Sequence, residues 1–325
     1  MTPPALTRAS RRSLVAGLAA AAACPRLAFA QAAFPSRPIT MIVSVPAGSS
    51  LDVQMRTLSA AASRELGQAI VIQNQPGVGG TLAAATAARA PADGYTLATI
   101  GSGHFRLPHM QKVPFDPIAD FTFVIALSRY LFGAVVRPDA PYKTLPQLIA
   151  HAKQSSVSFG GVGVGSPGQV ACFQLSKAGG YDLNYVPYKG GPEMWQAVLG
   201  GHLDVVVEGG WGPFVDQGKL RALAVLAEQR SPRFPQVPTA REQGFDVISA
   251  PLTGLVAPKG VDPAAVQKLH DAFRKAAADP EYQKALDAQG QSLALMTSEE
   301  YRRFGVASFA AEKKIVNELG LKGLN

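Results

Sequence analysis

The sequence predicts an α/β protein built as two lobes. Three observations predict it. Strand-like and helix-like runs alternate along most of the chain, the pattern of mainly parallel sheets covered by helices. The chain is longer than an ordinary single domain. Two extended passages, Phe121 to Val136 and Val247 to Ala257, stand between the α/β blocks with no helix of their own, which suits a chain that crosses twice between lobes through a double hinge.

Each element follows from its local pattern. Ile39–Val43 is a β-rich run, followed by a loop and an amphipathic stretch from Val53 to Leu66 that Gly67 ends. Ile70–Ile72 is the next strand, 81–89 a helix and Tyr95–Ile100 a strand. Phe123–Leu127 and Leu131–Val136 are strand-like runs of the first crossing passage. The rhythm resumes with helix Leu145–Lys153, strand Val157–Phe159, helix Gln169–Ala178, strand Leu183–Val186, helix Glu193–Leu199 and strands Val205–Val207 and Ala222–Val225. The C-terminal part reads as helical. Asp262-Pro263 and Asp279-Pro280 each set a capping side chain before a proline at the first helical position, and Thr297 with Glu300 fits a capping box. The expected lobes are 31–126 plus 252–325, and 127–251.

The first 30 residues read as an address. Ser10-Arg11-Arg12-Ser13-Leu14 is a twin-arginine pair, an Ala/Gly/Leu run follows to Ala23, and Ala28-Phe29-Ala30 is a small-x-small cleavage pattern. The apolar run falls short of the about 20 residues that span a bilayer. This predicts a removable export signal cut after Ala30 and a periplasmic protein; the alternative is a lipoprotein signal with Cys24 as the lipidated residue. An exported chain meets no ATP or NAD pool, which disfavours kinases and dehydrogenases. The formal charge of +8 falls to +4 without Arg8, Arg11, Arg12 and Arg26, and no basic run suggests a nucleic-acid surface. Cys172 would be the only remaining cysteine, so core burial rather than a disulfide must hold the fold.

Three strands run into glycine/serine loops: Pro46-Ala47-Gly48-Ser49-Ser50-Leu51-Asp52, Gly101-Ser102-Gly103-His104, and Gly160 to Gly168 containing Gly163-Val164-Gly165-Ser166. Glycine lets the backbone come close to a ligand, and the free N–H groups at a helix start favour an anion. Such loops are also ordinary tight turns, but three of them, split between two lobes, point to one shared anion pocket. Gly163-x-Gly165-x-x-Gly168 matches the dinucleotide fingerprint in form only: no acid stands about 20 residues on in a second strand, and Pro167 removes a donor. No nucleophile elbow or metal-ligand spacing occurs, so neither cofactor nor metal is expected. His104 is either a ligand contact or a packing imidazole. Glu208, at the end of Asp204-Val205-Val206-Val207 and before Gly209-Gly210-Trp211, is either a contact for a ligand amine or hydroxyl or a solvated turn acid. Cys172 reads as a buried small hydrophobe.

Several fragments in joint order carry a resemblance: Phe34-Pro35-Ser36-Arg37-Pro38-Ile39, Asn74-Gln75-Pro76-Gly77-Val78-Gly79-Gly80, Asp93-Gly94-Tyr95-Thr96-Leu97, Phe115-Asp116-Pro117 with Asp120-Phe121, Val186-Pro187-Tyr188-Lys189-Gly190, and Gly218-Lys219-Leu220-Arg221-Ala222-Leu223-Ala224-Val225 followed by Arg230-Ser231-Pro232 and Val237-Pro238-Thr239. With these the chain resembles the Bug-type extracytoplasmic receptors of tripartite tricarboxylate transporters. The resemblance implies a type II periplasmic-binding fold that closes on a small carboxylated solute, works as a receptor rather than an enzyme and delivers its solute to membrane permease subunits; a monomer is expected. It implies that the loops holding Ala47, Gly48, Ser49, Ser50 and Asp52, and Gly163, Val164, Gly165 and Ser166, grip a carboxylate through amides, hydroxyls and water. Ser102, Gly103, His104, Tyr188 and Glu208 complete the expected ligand-binding set. The chain departs from that family's usual pattern at Ser49, Leu51, Val164, Glu208-Gly209 and Leu252 or Thr253. These departures make parts of the wall more apolar and leave an aromatic or longer aliphatic acid open.

Overall fold

The structure is a computed structural model that describes residues 34–322. The export signal, Cys24 and the Ala30 cleavage position lie outside the described residues. From Pro35 onward the chain forms one unit containing two sheets.

The chain opens with β1 (Ile39–Val43), α1 (Ser50–Leu66), β2 (Ile70–Asn74), α2 (Thr81–Ala88) and β3 (Thr96–Gly101). Here β1 pairs in parallel with β2 and with β3. Ile39, Met41, Ile42 and Val43 are all buried, as a strand covered on both faces requires. Gly67 ends α1 with φ +66°, a left-handed cap that glycine adopts without strain. The loop expected at Gly101–His104 is instead the start of α3 (Ser102–Met110), which follows β3 directly. Pro108, in the last turn, argues against a helix when read locally.

Next, β4 (Phe121–Arg129) leads through Tyr130–Phe132 to β5 (Gly133–Val136), α4 (Leu145–Ala152), β6 (Ser158–Val162), α5 (Pro167–Gly179), β7 (Asn184–Tyr188), α6 (Gly191–Leu199), β8 (Val205–Glu208), α7 (Gly212–Asp216) and β9 (Arg221–Val225). The chain returns through β10 (Leu252–Pro258) to α8 (Pro263–Ala276), α9 (Pro280–Ala288), β11 (Ser292–Met296) and α10 (Ser298–Glu318). The first sheet has the order β11-β4-β10-β3-β1-β2, and the second β7-β6-β8-β5-β9.

Both sheets are mixed, where the alternation predicted mainly parallel ones. β10 runs antiparallel to β3 and β4, β11 antiparallel to β4, and β5 antiparallel to β8 and β9. Parallel neighbours need a long crossover, usually a helix. A strand entering from the other sheet has none, so it arrives against its neighbours. The two crossing passages lie side by side, with Tyr130 N–H donating to Pro251 O at 3.0 Å. Leu127–Arg129, expected in the second lobe, stay in the first sheet: Ser128 and Arg129 pair with Thr253 and Leu252. β11 was expected to be helical, because Leu, Ala and Met favour helices; pairing with β4 overrides that preference.

Apolar clusters cover the sheets. Ile100, Phe105, Phe123, Val256 and Tyr301 pack on the first sheet. Phe159, Leu175 and Val205 fill one face of the second, and Met194, Val206, Trp211 and Phe234 the other. Cys172 is buried in that second-sheet core, and burial pushes its thiol up. Each fully buried large side chain contributes about 1.5–3 kcal/mol.

Candidate ligand-binding cleft

Five helix N-termini meet at one cavity of ≈ 830 Å³, within the range of small-molecule sites, with Gly79 and the N-cap Gly80 lining it at the start of α2. Ser49 and Ser50 line it at the start of α1, and Ser102, Gly103 and His104 at the start of α3. From the second sheet come Gly163, Val164, Gly165, Ser166 and Pro167 at the start of α5, and Tyr188, Lys189 and Gly191 at the start of α6. The starts at Gly79–Gly80 and Gly190–Gly191 were not read as ligand loops from the sequence. Each helix start carries partial positive charge, an arrangement that favours an anion.

The first loop is held from behind. Asp52 accepts from Gly48 N (2.9 Å), Arg56 Nε (2.9 Å) and Asn74 Nδ2 (2.7 Å). Burial works against the ionised form, but these hydrogen bonds prevail and hold the carboxyl below its ordinary value. Asp52 therefore faces away from the cavity. Ala47 and Gly48 are solvent-exposed on the outer side of the turn, with Gly48 at φ +80°. None of these three expected contacts lines the cleft: they shape the loop that presents Ser49 and Ser50.

The hydroxyls differ in what they have left to offer. Ser49 Oγ is buried with no hydrogen-bond partner among the described residues, as is Thr99 Oγ1 on the same wall. Ser50 Oγ accepts from Gln291 Nε2 at 2.8 Å. Ser166 Oγ caps α5 by accepting from Gln169 N at 3.1 Å, and its hydroxyl also hydrogen-bonds with the Tyr185 side chain. In the same loop Gly165 N–H donates to Gln169 Oε1 (2.6 Å), and Gly165 O accepts from Arg106 (2.8 Å). Two buried side chains thus hold Gly165 from both of its flanking peptides.

Charge is scarce in this cleft. Burial lowers His104 to about 4, so its imidazole is neutral near pH 7; Nδ1 accepts from Gly101 N at 3.3 Å while Nε2 rests against Gly80. Among the described residues, Lys189, exposed, is the only lysine or arginine in the lining, and Glu208 the only carboxylate. Burial pushes it up to about 7, opposed by hydrogen bonds from Val162 N and Gly209 N. Tyr130, Phe132, Leu107, Met110 and Trp195 supply apolar and aromatic wall. The sequence reading missed these five, and Thr99, because they come from strand interiors, crossing passages and helix faces rather than glycine loops. The aromatic residues of the helix-free crossing passage were the one available signal.

Residues 54–321 match the profile of the tripartite tricarboxylate transporter family receptor. The chain is 42% identical over 317 residues to the UPF0065 protein in the gbd 5′ region of Cupriavidus necator, covering 94% of this chain and 96% of that one. It is 31% identical to BugT of Bordetella pertussis, over 89% and 91% of the two chains. Among solved structures, the periplasmic binding protein BugD superposes with a TM-score of 0.85 at 26% identity, covering 89% of this chain and 99% of that one. MatC from Rhodopseudomonas palustris, with bound malate, gives 0.81 at 28% over 87% and 100%. A further R. palustris protein, with adipate, gives 0.84 at 26% over 88% and 98%.

Proposed function

This chain belongs to the tripartite tricarboxylate transporter receptor family, and from that premise we propose that it captures a small carboxylate-bearing solute in the cleft and hands it to the permease subunits of a tripartite transporter. The observation that carries this reading is the convergence of helix N-termini from both sheets on one cavity whose lining, among the described residues, holds a single, exposed lysine. A carboxylate there is held by N–H groups and by the hydroxyls of Ser49, Thr99 and Ser166 rather than by an arginine. The malate and adipate held by two structural neighbours support the ligand class. The aromatic and aliphatic wall favours a solute with an apolar body.

The two sheets are the lobes of the receptor in this reading. The paired passages around Tyr130 and Pro251 are the hinge, and a solute touching both loops favours the closed form. Native mass spectrometry of the purified protein, followed by calorimetry with the acid released, tests this. A released carboxylic acid that rebinds at one per chain supports it; a neutral solute or a sugar overturns it.

Export by the twin-arginine route completes the reading. Lysines in place of Arg11 and Arg12 are expected to leave the precursor in the cytoplasm. Normal periplasmic accumulation on fractionation overturns that route.

A further inference from the structure

Glu208 ends β8 and lines the cleft on the side of the second sheet. Its two oxygens are both in use as acceptors: Oε2 receives Val162 N–H and Oε1 receives Gly209 N–H, each at 3.2 Å. The first turn of α5 is packed onto the carboxylate so closely that a Cβ at Gly168 would lie 2.9 Å from Oε2. Among the described residues Glu208 has no ion pair. The titratable groups that feel its charge are Tyr130 from the crossing passage, Tyr185 from β7 and Cys172 from α5, and all three are neutral. Across the cleft His104 is neutral as well. A cavity-lining carboxylate with acceptor capacity left and no cation beside it is complemented by a donor arriving with the solute.

We propose that the solute carries a hydrogen-bond donor, an ammonium or hydroxyl group, beyond its carboxylate, and that Glu208 receives it. The receptor would then take amino or hydroxy monocarboxylic acids and discriminate against the dicarboxylate of the same frame. The inference rests on the carboxylate reading of the cleft. A second carboxylate placed against Glu208 meets a like charge and binds only once one of the two is protonated. Because burial has already pushed Glu208 up to about 7, the two solute classes respond oppositely to pH. An ammonium needs Glu208 ionised and binds more tightly as pH rises through about 7; a dicarboxylate needs it protonated and binds more weakly.

The test is calorimetry on three frames: a four-carbon chain, a six-carbon chain and a para-substituted benzene ring. Each is offered as the plain acid, the terminal hydroxy acid, the terminal amino acid (on the ring an aminomethyl group, so that it is an ammonium) and the dicarboxylate. At pH 8 the amino or hydroxy acid of the accepted frame is expected to bind about 10- to 100-fold more tightly than its dicarboxylate, the range of one charge-assisted hydrogen bond. Glu208→Gln is expected to abolish that preference, with melting temperature as the folding control; should the variant not fold, the wild-type series decides alone. A dicarboxylate that binds as tightly as its donor-bearing counterpart, or a preference that survives Glu208→Gln, overturns the inference and leaves the carboxylate reading standing. Binding of no acid on any frame overturns both.

Discussion

Ser49 and Ser166 look alike in the sequence and differ in the structure. Ser49 Oγ is buried and unpartnered, so removing it takes away an unsatisfied polar group. Ser166 Oγ caps α5, and caps are worth about 0.5–2 kcal/mol. Ser49→Ala is expected to leave the melting temperature unchanged or raised, and Ser166→Ala to lower it, while each weakens carboxylate binding by up to about 10- to 100-fold. Parallel melting curves and titrations check this; a destabilised Ser49→Ala would refute it. Asp52 gives a pH-dependent counterpart. Its carboxyl sits below its ordinary 3.8 in the folded protein, so its contribution is fully present above that value and is lost as pH falls through the lower folded value. Arg56 is half exposed, so the ion pair itself adds little, and most of the effect comes from the buried hydrogen bonds. Asp52→Asn is expected to cost about 1–3 kcal/mol at pH 7 in urea unfolding, a difference that shrinks towards pH 3. A cost that stayed constant with pH would show that charge is not involved.

At the scale of elements, the pairing of β4 with β10 is a tight joint. A Cβ at Gly254 would lie 2.5 Å from Ile125 O and 2.6 Å from the Tyr301 ring, whose hydroxyl donates to Ile100 O. The Ile125 backbone cannot yield without disturbing the sheet, and the Tyr301 ring is held by its hydrogen bond to Ile100 O. Gly254→Ala is therefore expected to cost about 1–3 kcal/mol or more through overpacking, read as a fall in the urea midpoint at unchanged slope; an unchanged midpoint would contradict this packing. Helix starts were the most legible elements. Asp262 accepts from Ala264 N, Asp279 from Glu281 N, and Thr297 and Glu300 form the reciprocal box, all from signals within four residues. α3 and β11 were illegible for the converse reason. Local chemistry argues against each, and partners far along the chain, α10 for α3 and β4 for β11, hold them in place.

Across the whole molecule, Arg106 ties three distant segments together. Its guanidinium forms a bidentate pair with Glu312 of α10 (2.7 and 2.9 Å), and its remaining arm holds Gly165 O of the cleft loop. Both side chains are buried, at 4% and 9% exposure. Met110 of α3, Val170 of α5, and Val316 and Leu321 at the C-terminal end pack together in an apolar cluster of their own. Elements attached to the first sheet thus grip the α5 loop of the second. Arg106→Met strands Glu312 as an uncompensated buried charge, at an expected cost of about 3–5 kcal/mol; adding Glu312→Leu is expected to restore most of that stability without restoring affinity, because Gly165 O still lacks its donor. Equal recovery of stability and affinity in the double variant would show that the clasp only stabilises the fold.

The sequence by itself determined the α/β class, the strand and helix rhythm, the caps and the glycine-rich helix starts, because each depends on residues within a turn or two of one another. It also carried the family resemblance, through short fragments in a shared order. Tertiary structure alone decided which side of each loop faces the cleft. Local spacing cannot show that Asp52 turns inward to Asn74, 22 residues away, while Ser49 beside it lines the cavity. Nor can it show that Glu208, a plausible solvated turn acid, lies against Val162 and the start of α5 with no ion pair among the described residues. The charge a site presents depends on burial and on partners brought together by folding, and those distances are fixed only when both sheets have closed around the cleft.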